Sequence, residues 1–231
     1  MPNQTKGLLK WWLAMELVVG CAGSCVGQYR LIPGKIDESI GCMPSTPARI
    51  CLGTGTAHCY ALESTKDYTF GMEPKATEIG RLDGQPVVLF SAMFSGCGSG
   101  TLTDYSLLTV RAGEFVDLLP HVRLTNQSQH QLWSLPQVSK LPVLVTADFI
   151  WDFDAFKKSK GQEETHFAAH RYHVEAFAFD PKSGQYLQKV SFDTTNKYPG
   201  LDEVDQIEVV GAEKPHILAK LRSGPEGPQS K

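Results

Sequence analysis

The stretch RYHVEAFAFDPKSGQYLQKVSFD, residues 171–193, decides the fold class. Up to Asp180 its residues alternate with a period of two, Val174, Ala176 and Ala178 against His173, Glu175, Phe177 and Phe179. Successive side chains of a strand point to opposite faces, so this is a strand with apolar groups on both. Asp180-Pro-Lys-Ser-Gly184 then offers a Pro that presets φ and a Gly that accepts a left-handed conformation, the chemistry of a type I turn closing a hairpin. Residues 185–193 (QYLQKVSFD) return as the second strand.

The same period recurs outward from this hairpin. Residues 86–94 (PVVLFSAMF) are a short apolar run bounded by Gly84 and Gly96, as in a buried strand. Residues 101–111 lead through Ala112-Gly113 into residues 114–119, a strand, tight turn and strand. Residues 142–153 put Phe149, Trp151 and Phe153 on one face and Asp148, Ile150, Asp152 and Asp154 on the other. Helical patterning is scarce: a short helix within 155–169 and a turn of one near 201–206. The expectation is a single, mainly β, antiparallel domain over residues 57–222, built as a sandwich, open barrel or part-propeller with little helix. An irregular Cys/Pro/Gly-rich lead at 26–56, with short strands near 48–52 and 58–62, precedes it, and a polar, disordered tail at 223–231 follows.

Of the 231 residues 42% are hydrophobic, enough for one domain with a real core. The net charge is −3 with acidic and basic residues interleaved, so the polycationic footprint of a nucleic-acid binder is missing and no nucleic-acid partner is expected.

Residues 1–25 read as an export signal. Lys6 and Lys10 precede an apolar run from Trp11 to Val19, then small residues and cysteines. The run is shorter than the ~20 apolar residues a membrane span requires, and Glu16 interrupts it. Val18-Val19-Gly20-Cys21 resembles the bacterial lipoprotein signal, and Ala22-Gly23-Ser24-Cys25 resembles it less closely because Ala stands where a larger aliphatic residue is usual. The resemblance implies lipidation at Cys21 or Cys25 and a membrane association made only through that lipid; a plain cleaved signal is the competing reading. Cys42, Cys51, Cys59 and Cys97 remain, an even number suited to two disulfides in an oxidising compartment, with three connectivities open. Their spacings do not fit the paired C-x2-C knuckles of structural zinc.

Candidate chemistry is sparse. On a helix His166 and His170 would share a face with Glu164, and Asp154 lies on the preceding segment, a set suited to a transition metal. His173 belongs to the strand that follows and is removed from that set by the change of period. Asp148, Asp152 and Asp154 suggest calcium, but the D-x-D-x-D-G loop is missing and a solvated strand face explains them. Ser95-Gly-Cys-Gly-Ser-Gly100 lacks the following helix and the Lys-Ser/Thr pair of a phosphate loop, which leaves Cys97 as a disulfide partner. Trp151, Tyr172 and Tyr186, with Trp133, Phe177 and Phe179, would form a binding face if exposed and core if not.

These residues point to an exported cell-envelope protein, periplasmic, anchored to the outer membrane by lipid, or secreted. The expected role is a non-catalytic binding or structural module for a protein or polysaccharide partner, with no cofactor. The alternative is a metal-dependent hydrolase using His166, His170, Glu164 and Asp154.

Overall fold

A computed structural model describes residues 29–39, 41–97, 101–120, 122–125, 128–150, 169–199 and 208–223. Its strands are β1 (Tyr29–Ile32), β2 (Arg49–Leu52), β3 (Cys59–Ala61), β4 (Met72–Leu82), β5 (Gln85–Ser95), β6 (Thr101–Arg111), β7 (Glu114–Asp117), β8 (Val122–Thr125), β9 (Gln129–Trp133), β10 (Val143–Phe149), β11 (Tyr172–Asp180) and β12 (Gln185–Asp193). Two helices close the described chain, α1 (Val209–Ala212) and α2 (Lys214–Ser223). The protein is therefore mainly β and antiparallel throughout.

The strands form three sheets: β1-β2-β3; β4-β5-β6-β7 with β8 also on β6; and β12-β11-β10-β9. Three hydrophobic clusters show that they stack in layers. Tyr29 and Ile50 of the first sheet pack on Val88, Phe90, Ala92 and Leu108 of the second. On the second sheet's other face, Val87, Leu89 and Leu107 meet Leu144, Phe177, Phe179 and Tyr186 of the third. The third sheet's far face, with Val143, Val145, Val174 and Ala176, is covered by Val209, Val210 and Ile217 of the helices. Strands β5, β10 and β11 are nearly continuous apolar runs for this reason: each is covered on both faces.

The two hairpins read from sequence are present. Gly184 takes φ +69° after the Pro181 turn, and its N–H donates to the Asp180 carbonyl at 2.9 Å. Ala112 and Gly113 both have positive φ, 51° and 82°, as the tight β6–β7 turn demands. Asp83 and Gly84 (φ 52° and 81°) make a matching turn between β4 and β5. That Asp-Gly pair is a strong hairpin signal that would have revealed β4, a strand the sequence reading lacked.

Three expectations are corrected. The 26–56 lead is less irregular than anticipated: besides the strand near 48–52 it holds β1, and both belong to the first sheet, whose apolar residues share a cluster with β5 and β6. Strands β8 and β9 are also additional, too short to show a period. Helix α2 is long enough to read but only weakly amphipathic, burying Ile217 alone. The segments expected to be helical at 155–169 and 201–206, the export signal and the tail beyond Ser223 lie outside the described residues, apart from Ala169.

Cysteine pairing is Cys42–Cys97 and Cys51–Cys59. The first ties the β1–β2 connection to the loop after β5; the second bridges directly paired residues of β2 and β3. Polar side chains add to the same junction. The Tyr60 hydroxyl donates to Asp117 Oδ2 at 2.8 Å and lies 2.9 Å from Ser106 Oγ, while Asp117 Oδ1 accepts from the N–H of Leu107 and Leu119. Burial and the neighbouring Asp117 charge push the Tyr60 phenol well above its ordinary pKa, so it stays a donor. Among the described residues no helix is long and apolar enough to cross a membrane.

Candidate binding cleft

The space between the second and third sheets changes character along the strands. Pairing aligns Thr77, Leu89 and Leu107 across β4, β5 and β6, and the next row on the same face is Lys75, Ser91 and Tyr105, which runs from exposed at Lys75 to buried at Tyr105. Leu89, Leu107 and the ring of Tyr105 belong to the apolar core cluster; Lys75 and Ser91 do not. The third sheet makes the same change. Leu132, Leu144 and Phe177 form an apolar row, followed by His130, Thr146, Glu175 and Ser191, then by Asp148, His173 and Asp193. Two walls thus face each other through hydrocarbon at one end and through polar groups at the other.

At the polar end lies a cleft of about 180 Å³ lined by Glu73, Lys75, Thr77, Ser91, Met93, Thr103, Tyr105 and His130, among others. His130 reaches it from β9, and its Nδ1 is 3.1 Å from the Tyr105 hydroxyl. Their rings pack 4.8 Å apart, tilted by 53°. Burial pushes the Tyr105 phenol up to about 12, so it remains protonated. Burial, and then the Lys75 ammonium, hold His130 below its ordinary value and favour the neutral imidazole. The cleft therefore offers hydroxyls, a neutral imidazole and one ammonium, the last held 3.6 Å from Glu73. A second hollow of about 320 Å³ lies on the other side of His130, beside Ser128, Gln129, Gln131 and Glu208.

Asp148 shapes the end of this wall. Its Oδ1 accepts from the Thr125 N–H at 3.1 Å and from the hydroxyls of Thr125 and Ser128, fastening the β8–β9 connection to β10. Asp148 thus holds the connection that leads into β9 and is not a freely solvated acidic group. Beside it His173 Nδ1 lies 2.7 Å from Asp193 Oδ1, and its Nε2 lies 3.3 Å from Ser191 Oγ and 3.7 Å from Glu175 Oε1. In order of atoms this is a hydroxyl, an imidazole and a carboxylate. Acyl transfer from such a set relies on a water-excluded site with donors for the oxyanion, whereas the side chains of His173 and Asp193 are 41% and 52% exposed. The group acts as a cross-strand polar network tying β11 to β12.

Of the residues singled out from sequence, Cys42, Cys51, Cys59 and Cys97 form disulfides as expected, and two of the aromatics are core. Tyr172 and Tyr186, candidates for an exposed binding face, are 3% and 0% exposed. Tyr186 packs against Phe179 and donates its hydroxyl to the Pro142 carbonyl, so both tyrosines are core groups and not a contact surface. His170 is also buried, its ring 4.9 Å from that of Phe149 and its backbone paired with Tyr198. Its suggested co-ligands His166, Glu164 and Asp154 lie outside the described residues, as do Trp151, Asp152, Cys21 and Cys25. Among the described residues no three His, Cys, Asp or Glu side chains are arranged to hold a metal ion together. Lys75, Tyr105 and His130 were missed because each sits singly in its own strand and only pairing brings them together. A partial signal exists in Thr101–Arg111, where Thr103, Tyr105 and Leu107 alternate on one face and pass from polar to apolar.

No protein-family model, no curated protein and no solved structure matches this chain.

Proposed function

We propose that the protein is exported to the cell envelope and acts there as a non-catalytic binding module, holding a polar envelope component in the cleft between its second and third sheets. The observation that carries this reading is the matched change from apolar to polar rows on two facing sheets. A sheet face that turns polar beside a packed core gives up hydrophobic stabilisation, and a row of hydrogen-bonding groups is what a polar ligand requires. Two disulfides support an oxidising compartment. The lipoprotein-like cysteines at 21 and 25 support anchoring at a membrane surface by lipid.

The test is retention of the purified full chain on isolated envelope fractions. Lys75→Ala combined with His130→Ala is expected to lower retention at least tenfold while the melting temperature stays within a few degrees. Unchanged retention with unchanged stability would exclude the cleft. Address is tested separately: Cys21→Ser with Cys25→Ser is expected to move the protein from the membrane to the soluble fraction, and no movement would exclude the lipid anchor.

A further inference from the structure

From the open edge of β9 we infer that the partner held at this cleft is a protein, bound through an extended segment that adds as a strand alongside residues 128–133. The segment carries basic side chains on the Glu208 side and uncharged polar ones on the cleft side. The inference rests on the binding reading above and adds the partner's class and its path.

Pairing leaves the edge open. Among the described residues β9 ends the third sheet and pairs with β10 alone. The other edges of the second and third sheets carry features that oppose strand addition. Strand β4 has Pro74, two register shifts and a left-handed Glu73 at φ 45°. Strand β7 is short and has Glu114 and Asp117 at its ends. Strand β12 has Lys189 at its centre, and its Tyr186 N–H is already given to the Leu118 carbonyl. Strand β9, Gln-His-Gln-Leu-Trp, has no proline, no glycine and no formal charge, and its register with β10 runs without a shift. From Gln129 to Leu132 it is half-buried or exposed.

Two hollows flank that edge. Gln129 lies on the face covered by the helices, where its Oε1 accepts from the Val210 N–H at 3.3 Å, and Leu132 lies on the face toward the second sheet. The hollow of about 320 Å³ is lined by consecutive residues, Ser128 to Gln131, together with Glu208. Successive side chains point to opposite faces, so a hollow that touches all of them lies along the strand's edge. The cleft of about 180 Å³ reaches the same edge at His130 from the second sheet's side. A strand laid beside β9 sends alternate side chains toward the two hollows, while its main chain pairs with β9.

Charge gives the occupant. Glu208 sets a carboxylate beside the amides of Gln129 and Gln131, which suits Lys or Arg. The cleft presents the hydroxyls of Ser91, Thr103 and Tyr105 and a Lys75 ammonium already paired with Glu73, which suits Ser or Thr. A second copy of the chain fits less well. Two-fold antiparallel pairing of β9 with itself brings both Glu208 carboxylates to the same face of one seam.

The experiment is calorimetric titration of the full chain with a capped Lys-Thr-Lys-Thr-Lys-Thr peptide. The comparison probes are a capped Glu-Thr-Glu-Thr-Glu-Thr peptide and two forms of the Lys-Thr peptide, N-methylated at its Lys or at its Thr residues. The Lys-Thr peptide is expected to bind and to slow amide exchange along β9, and the Glu-Thr peptide not to bind. One N-methylated form should lose at least tenfold in affinity and the other little, because an added strand pairs along one edge only. Glu208 makes no side-chain cap bond to α1, so Glu208→Lys should keep the melting temperature and exchange the preference from Lys-Thr to Glu-Thr. His130→Ala should weaken the peptide as it weakens envelope retention. Equal affinity of the unmodified and both N-methylated forms would overturn strand addition. Failure of both unmodified peptides, with envelope retention still dependent on Lys75 and His130, would overturn the inference and keep the binding reading. A sedimentation mass of twice the chain, with no peptide bound, would give the edge to a second copy and overturn the peptide.

Discussion

The two ends of the space between the second and third sheets are built from the same strands and differ in a single respect. At one end Leu107, Leu144, Phe177, Phe179 and Tyr186 interdigitate as a buried core. At the other, Lys75, Ser91 and Tyr105 of the second sheet line a cleft that His130 of the third sheet enters. Backbone geometry, pairing and layer order are shared, so the contrast isolates what side chains do on a fixed scaffold. The apolar end holds the sheets together and the polar end gives up that contribution for hydrogen-bonding groups. Stability and binding are therefore expected to be separable by substitution.

The largest effect that tests this separation is at the apolar end. Leu144 is fully buried, and Leu144→Ala removes methyl groups and leaves a cavity, which is expected to cost about 2–5 kcal/mol of unfolding free energy in denaturant titration. Affinity for the cleft ligand should be unchanged wherever the protein remains folded. A loss of affinity before any loss of structure would show that the two ends are coupled.

A smaller effect belongs to the cleft and depends on pH. The folded pKa of His130 lies below the 6.5 of the unfolded chain, so unfolding takes up a proton between those two values. This contribution is complete above about pH 6.5 and is lost as the pH falls through the folded pKa. The groups that face the imidazole are Tyr105 from β6, Lys75 and Glu73 from β4, and Glu208 on its other side. In melting curves from pH 8 to pH 4, His130→Gln should flatten part of the acid decline. An identical pH profile in the variant would place the acid-sensitive group elsewhere.

The smallest effect returns to the apolar end. Ala112 holds a left-handed conformation in the β6–β7 turn, where Asn is better tolerated. Ala112→Asn should raise stability by about 0.5–1 kcal/mol in denaturant titration and leave binding unaltered. A decrease would mean that the turn is held by contacts other than its backbone geometry.

Much of the scaffold was legible because its signals are local. Residues 101–111 and 185–193 read from sequence as the strands they are, and residues 171–180 fell within a residue of β11. The alternation of Val174, Ala176 and Ala178 against Phe177 and Phe179 divided those residues between the two clusters that flank β11. What the sequence left open was exposure. Tyr172 and Tyr186 have the size and polar tip of binding aromatics, but those properties serve equally in a core where the hydroxyl finds a carbonyl, as Tyr186 does at Pro142. His170 attracted attention because of its histidine neighbours and proved to be a buried ring against Phe149.

By itself the sequence determined the class of backbone: strands of period two, turns at Ala112-Gly113 and 180–184, and an even set of cysteines for two bridges. These depend on neighbours a few residues apart, where steric preference and alternation act directly. Tertiary structure decided which faces were covered, which cysteines met, and where the polar row of one sheet came to oppose that of another. Lys75, Ser91 and Tyr105 become a row only through the registers of β4, β5 and β6, and His130 joins them only because Leu144 and Phe177 pack on Leu89 and Leu107. A strand's pattern states that it has two faces; what lies against each is set by the burial of apolar surface summed over the whole chain.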